Sequence, residues 1–231
     1  MLYKLFDLYV EICELIPQTL IRLSEYKCTD NVLPEISISV TQEELLKEKE
    51  NDFQKSDSYC EMVCIFRHIT EEIVDFNGIF VHSSVVKMDD KGFMFLGRSG
   101  AGKSTHSIGW LKTFKDAEVI NGDKPILRFF DDGIYAYGSP WCGIEGLHKN
   151  TKVKLHSAAF VEKAKENKIY SVGDKEVFSK MLNQTVVPKT PKRRIKHFEL
   201  LDRLIKELPF YVLECDVSKE AVLTAYEKMG E

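Results

Sequence analysis

The chain has 231 residues, 44% hydrophobic and 29% charged, which suits one large domain, or a domain with a small appendage, burying a core without metals or disulfides. A net charge of −4 and a pI near 5.9 argue against duplex nucleic acid as a partner, since that calls for a basic face. The opening MLYKLFDLYVEICELIP is broken by acids and lacks the apolar core of a signal peptide, and no stretch approaches the roughly 20 apolar residues of a membrane-spanning helix. A cytoplasmic protein with no membrane partner is expected. Cysteines stand at 13, 28, 60, 64, 142 and 215. Cys60 and Cys64 are four apart on a predicted helix, but no second pair with zinc-site spacing follows, so free thiols are expected.

Residues 3–12 (YKLFDLYVEI) and 33–40 (LPEISISV) mix β-branched and aromatic side chains with partial alternation and predict strands. Thr41-Gln-Glu-Glu44 has the form of a capping box opening a short helix over 43–49, and 50–57 (ENDFQKSD) reads as a polar surface loop. From Tyr59 to Phe76 apolar residues recur with helical spacing. Two strands are predicted over 78–86 and 92–96, joined at Met88-Asp-Asp-Lys91. A helix over 105–114 follows, then strands over 117–121 and 125–130, an Asp131-Asp-Gly133 turn and a returning strand over 134–137. Further on, 155–161 predicts an apolar strand, 174–182 and 194–208 predict helices, 210–215 a strand and 219–229 a closing helix.

The strand over 92–96 runs into Gly97-Arg98-Ser99-Gly100-Ala101-Gly102-Lys103-Ser104, which satisfies G-x-x-x-x-G-K-[ST] without substitution. Glycines at 97, 100 and 102 let the backbone aim its N–H groups at phosphate oxygens, while Lys103 neutralises the terminal phosphates and the Ser104 hydroxyl ligates Mg²⁺. The helix that follows offers its positive end to the same anion. Both flanks fit: a strand precedes and a helix, with Thr105 in its first turn, follows. Residues 97 to 105 are thus the expected nucleotide contacts. A magnesium site also needs a carboxylate, and Val119-Ile-Asn-Gly-Asp-Lys-Pro125 supplies an apolar strand ending in Asp123. Lys103 and Asp123 are the leading catalytic candidates, and Ser104 and Asp123 the metal ligands.

The segment His82-Ser-Ser-Val-Val-Lys-Met-Asp-Asp-Lys-Gly-Phe-Met-Phe-Leu-Gly97, with the loop after it, resembles the catalytic domain of HPr kinase/phosphorylase and, more distantly, ATP-dependent phosphoenolpyruvate carboxykinase. Three phrases strengthen the likeness to a group of short bacterial HPr-kinase-like proteins: Ser104-Thr-His106 with Trp110, Asn121-Gly-Asp-Lys-Pro125, and Tyr137-Gly-Ser-Pro-Trp-Cys-Gly143. The strong part of the resemblance covers roughly residues 78–160. It implies an α/β fold with a carboxykinase-type P-loop kinase core, a mixed sheet flanked by helices, over 77–231. Residues 1–76 would form a small N-terminal α+β portion, either separate or continuous with the same domain. It also implies transfer of a nucleotide phosphate to a hydroxyl, with a histidine ahead of the loop at the position of His82. One departure matters. The family places an aspartate pair after the helix, the first acting as base and the second on magnesium; here these are Gly122 and Asp123, so only the metal role carries over.

His82 is expected to orient or activate the acceptor, and His106 to lie either near the nucleotide or near the surface. Lys124, Trp141 and Glu145 are candidates for a substrate pocket, with Glu145 a substitute base. The basic run Lys189, Lys192, Arg193, Arg194 and Lys196 is expected either to close over phosphates or to form a solvated face. The reading that results is a Mg²⁺-dependent kinase using ATP, or another nucleotide, on a small alcohol or a serine of a peptide or protein. The alternative is a nucleotide-binding regulator without transfer activity, and the shortness of the chain disfavours a carboxykinase. HPr kinases assemble as hexamers, which brings a homo-oligomer into view.

Overall fold

The computed structural model of the protein describes residues 1–13, 16–50 and 54–231, so 51–53 of the expected surface loop lie outside the described residues. The chain divides into two compact units, 1–74 and 75–231.

In the first unit, β1 (Leu2–Leu5) and β2 (Leu8–Cys13) form an antiparallel hairpin, and β3 (Ile36–Ser39) adds to β2 in parallel. The single strand expected over 3–12 is therefore two. Phe6 and Asp7 both take left-handed backbone angles (φ 58° and 60°), the conformation of a two-residue turn that matches strand twist. Asp7 suits such a turn, while Phe6, an uncommon occupant, hid it. The helix α1 (Pro17–Leu23) starts on a proline, and the carboxylate of the buried Glu61 accepts the N–H of Ile16 at 3.0 Å just ahead of it. This helix has no counterpart among the sequence expectations. The capping box forms as expected at α2 (Gln42–Glu50): Thr41 N–H donates to Glu44 Oε2 at 2.8 Å and Glu44 N–H to Thr41 Oγ1 at 3.2 Å. The long helix α3 (Asp57–Glu72) is capped by Ser56 and buries Cys60 and Cys64. Burial pushes the Cys64 thiol up to about 11, so it stays protonated at neutral pH.

The second unit is a curled mixed sheet with flanking helices. Its strands are β4 (Gly78–Phe80), β5 (Ser83–Met88), β6 (Lys91–Leu96), β7 (Glu118–Asn121), β8 (Ile126–Phe130), β9 (Gly133–Tyr137), β10 (Lys152–Lys163), β11 (Lys168–Ser171) and β12 (Phe210–Cys215). The order is β4-β8-β9-β10-β6-β5-β7, with β12 also on β10 and β11 on β12. In this sheet the parallel pairings are those of β10 with β6 and with β12. The strand expected over 78–86 is split: β4 pairs with β8, β5 pairs with β6 and β7, and Val81 and His82 cross between them. His82 is accordingly in a crossover and not on an apolar strand. Continuous burial on either side, over 78–81 and 83–86, made the two short strands read as one. The exposed β11, with burial of only one intermediate residue, gave no apolar signal in the sequence.

The helices are α4 (Lys103–Thr113), α5 (Asp174–Met181), α6 (Pro191–Glu207) and α7 (Lys219–Met229). The last two expected helices are present, α6 starting earlier because Pro191 occupies its first turn, where the missing N–H costs nothing. One buried cluster joins Phe93 and Phe95 of β6, Trp110 of α4, Val161 of β10, Leu213 of β12 and Val222 of α7. Gly109 lets α4 and α7 approach closely, since a Cβ there would sit 3.0 Å from Val222. Trp110 is fully buried, its ring centroid 5.0 Å from Phe93, and its Nε1–H donates to His106 Nε2 at 3.0 Å. Among the described residues no helix is long and apolar enough to cross a membrane.

Because Trp110 fills the seam between α4 and the sheet, Trp110→Ala is expected to cost about 3–5 kcal/mol of stability. Urea unfolding followed by circular dichroism checks this; a loss near zero would show that the seam is not a packed core.

Candidate functional site

The loop 97–104 leaves β6 at the end where β6, β10 and β12 all finish, the side of a sheet at which parallel strands place ligand sites. Its shape is set by backbone angles. Gly97, Gly100 and Gly102 have φ of 145°, 78° and 108°, values that disfavour any side chain. Gly97 is constrained further, because a Cβ there would lie 3.0 Å from Ala101 Cβ and 3.1 Å from Val161 O. Gly102 is the residue ahead of α4 and provides no side-chain cap, so the first N–H groups of that helix are left for an external acceptor. Lys103 is buried and its Nζ donates to Gly97 O at 2.8 Å. Burial pulls this ammonium below its ordinary pKa, Asp123 acts in the opposite direction, and Lys124 adds to the lowering.

A cleft of about 680 Å³ opens beside the loop. Of the expected site residues it brings together His82, Ser99, Gly100, Ala101, Gly102, Lys103, Ser104, Thr105, Asp123 and Glu145. His82 Nε2 is 3.1 Å from Asp123 Oδ1, and the other carboxylate oxygen of Asp123 is held by Lys124 Nζ. Burial, the largest single influence, raises the Asp123 pKa, but hydrogen bonds from His82 and Lys124 and their positive charge outweigh it and bring the group down to about 2. Asp123 is thus a carboxylate at any ordinary pH.

Asn121 fixes where that carboxylate sits. It is fully buried; its Oδ1 accepts from the N–H of Asp123 at 2.9 Å and of Lys124 at 2.7 Å, while its Nδ2 donates to Ser139 O at 3.1 Å and Ser139 Oγ at 2.9 Å. One amide therefore ties the Asn121–Lys124 turn to the Tyr137–Gly143 segment. Ser139 Oγ–H donates to Lys124 O at 2.9 Å, closing the ring of contacts. At Gly138 a Cβ would fall 1.7 Å from Lys149 O, so only glycine fits that approach. Gly122 is crowded as well: its N–H donates to Leu147 O at 2.9 Å, and a Cβ would be 3.1 Å from Cys142 O. The backbone carbonyls of Cys142 and Leu147 thus leave little room for a side chain at position 122.

Some expected residues lie elsewhere. Trp141 is buried, at 8% exposure, and is not among the residues that line the cleft; it packs where a substrate contact was expected. Lys124 is not among the residues that line the cleft, and its Nζ contacts the Asp123 carboxylate. Gly97 and Arg98 face a neighbouring cleft with Lys180 and Gln184. His106 lines the inner wall of the cleft but packs into the core: it is 5% exposed, accepts from Trp110, and is held at about 4 by burial. The basic run opens α6, where Arg193 pairs with Asp75 at 2.7 Å and Arg194 donates to the carbonyls of Pro188 and Lys189, and none of its five cations lines the cleft.

Sequence reasoning missed Gln184. Its backbone oxygen accepts the N–H of His82 at 2.6 Å, and with its side-chain amide in the orientation that satisfies both neighbouring carbonyls its nitrogen donates to His82 O at 3.0 Å and Gly97 O at 3.2 Å. It is 5% exposed and bridges the crossover to the glycine loop. No local pattern marks it, since it lies between helices in a polar stretch.

Two buried imidazoles set a pH dependence. His106 and His197 both have folded pKa values near 4, against an ordinary 6.5. The unfolded chain therefore binds more protons between these values, and stability falls as pH drops from about 6.5 to about 4. Asp123 adds stability that is present above about 3.8 and lost as the pH falls toward 2. Urea titrations at pH 7, 5.5 and 4.5 should show the first loss, and His106→Gln, which keeps an acceptor for Trp110 without titrating, should flatten it. An unchanged slope would rule out His106 as a source.

No family model matches the chain, and no curated protein matches it. Among solved structures, the HPr(Ser) kinase/phosphatase from Coxiella burnetii is similar at 11% identity, covering 66% of this chain and 99% of that one with a TM-score of 0.35.

Proposed function

We propose that the protein is a kinase with a carboxykinase-type P-loop core, which binds a nucleoside triphosphate at 97–105 and transfers its terminal phosphate to a hydroxyl. The observation that carries this reading is the meeting of three features in one cleft: a glycine loop with its lysine, a free helix N-terminus, and an ionised carboxylate hydrogen-bonded to a histidine.

Each group has a defined task. The loop N–H groups and the start of α4 receive the phosphate oxygens, and Lys103 exchanges its contact with Gly97 O for one with the terminal phosphates. Asp123 and Ser104 offer the hard oxygen donors that magnesium takes, and no cluster of three or more His, Cys, Asp or Glu suited to a metal occurs among the described residues. These two protein oxygens would hold Mg²⁺, which would supply charge neutralisation for the transferring group. The flexible stem of Lys124, 37% exposed, allows its ammonium to leave the second Asp123 oxygen. In the transfer, the acceptor oxygen bonds to the terminal phosphorus as the bridging P–O bond breaks, and the hydroxyl proton must leave. With Nε2 turned to Asp123, His82 has Nδ1 left for the acceptor, and we assign the hydroxyl proton to that nitrogen. This assignment answers the replacement of the family's first aspartate by Gly122. The acceptor is a small alcohol, free serine among them, or a serine of a peptide or protein.

The second reading, a nucleotide-binding regulator without transfer, is favoured by Gly122 and by the backbone that fills its surroundings. Labelled ATP with Mg²⁺ and a panel of acceptors separates the two. Acceptor-dependent label transfer supports the kinase; nucleotide binding with no such transfer supports the regulator. Lys103→Ala is expected to lower transfer by about 10²–10³-fold, and Asp123→Asn to weaken the dependence on Mg²⁺. Transfer retained by Lys103→Ala would defeat the assignment.

A further inference from the structure

We propose that the nucleoside half of the nucleotide lies at the flank of the cleft formed by the ends of β10 and β12, with Val217 as the surface against which the base rests. The proposal builds on the phosphate-loop reading above and assigns a subsite which that reading leaves open.

The sheet gives the cleft a direction. In the order β12-β10-β6-β5-β7, the loop leaves β6, Asp123 follows β7 on one side, and Ala164 and Val217 follow β10 and β12 on the other. Adjacent strands are about 4.8 Å apart, so the two flanks stand on the order of two strand spacings from the loop in opposite directions. Terminal phosphates belong beside the carboxylate, where charge neutralisation is needed. A nucleotide anchored by the loop then runs away from Asp123, toward β10 and β12.

The chemistry of that flank suits a nucleoside. Val161, Ala164, Cys215 and Val217 give it an apolar surface beside the charged side chains of Lys163 and Asp216, and burial holds the Cys215 thiol up at about 11, uncharged. Asp216 offers a carboxylate that can accept from ribose hydroxyls or an exocyclic amine. Val217 is 84% exposed, so it contributes little to the core, yet its loop is fixed on both sides. Asp216 N–H donates to Asn167 Oδ1 at 3.0 Å, and Asp216 Oδ1 accepts from Ser218 N–H at 2.9 Å, at the residue that caps α7. A rigid loop thus presents one apolar side chain to the cleft. On the opposite flank the exposed Ile144, next to Glu145, faces the side left for the acceptor.

Calorimetric titration of MgATP and of magnesium tripolyphosphate, which has the phosphates without the nucleoside, tests this on the intact chain. Val217→Ser is expected to weaken MgATP binding by about three- to tenfold and to leave tripolyphosphate unchanged. Ile144→Ser should weaken neither. Equal weakening of both ligands by Val217→Ser, no weakening of MgATP, or a loss of MgATP affinity in Ile144→Ser instead would each overturn the subsite while leaving the phosphate loop in place. Failure of the unaltered chain to bind either ligand would overturn the loop reading, and the subsite with it.

Discussion

The arrangement of the site depends on one buried amide. Asn121 has both ends of its side chain committed, its oxygen to two backbone N–H groups and its nitrogen to Ser139. A buried polar group of this kind is costly when left unpaired and specifying when satisfied. Its satisfaction requires the turn carrying Asp123 and the segment carrying Ser139 to be in register together. The carboxylate is aimed by this constraint before any pairing with His82 or Lys124. Those pairings then lower its pKa against the opposing pull of burial, and the result is a charged oxygen held at the mouth of a glycine loop.

The second support comes from the other side. Gln184 and the Val81–His82 crossover join a helix-linking segment to the glycine loop and to the histidine. His82 is therefore held through its backbone by Gln184 and through its ring by Asp123. Neither contact is local in sequence. The crossover also explains why a histidine occurs between two apolar strands: at that point the chain leaves one strand partner for another, and its side chain can leave the core.

Much of this was legible from the residues alone. The glycine loop is a local motif whose backbone needs and flanking elements are written in eight consecutive positions, and its neighbours Ser104, Thr105 and Asp123 were readable by the same logic. The helices with clear stripes, α3, α6 and α7, were readable for the same reason. The misses share a cause. The hairpin turn at Phe6 and Asp7 lacks glycine or asparagine, β11 is mostly exposed, and the split at His82 falls inside a continuous apolar pattern. Trp141 looked like a ligand-facing aromatic because turn residues surround it, whereas the tight approach of Gly138 to Lys149 draws that segment inward. Gln184 becomes visible only once residues about a hundred positions apart are side by side.

The long strand β10 carries a further consequence. Its start pairs with β9, its middle with β6 and its end with β12, partners drawn from residues 91–96, 133–137 and 210–215. Such distant pairings close large loops before they are rewarded, which slows folding. On a ribosome the glycine loop would emerge first, with its glycines already able to turn, but the wall beside it would wait for β12, more than a hundred residues further on. Assembly of this site is therefore a late event in the life of a newly made molecule.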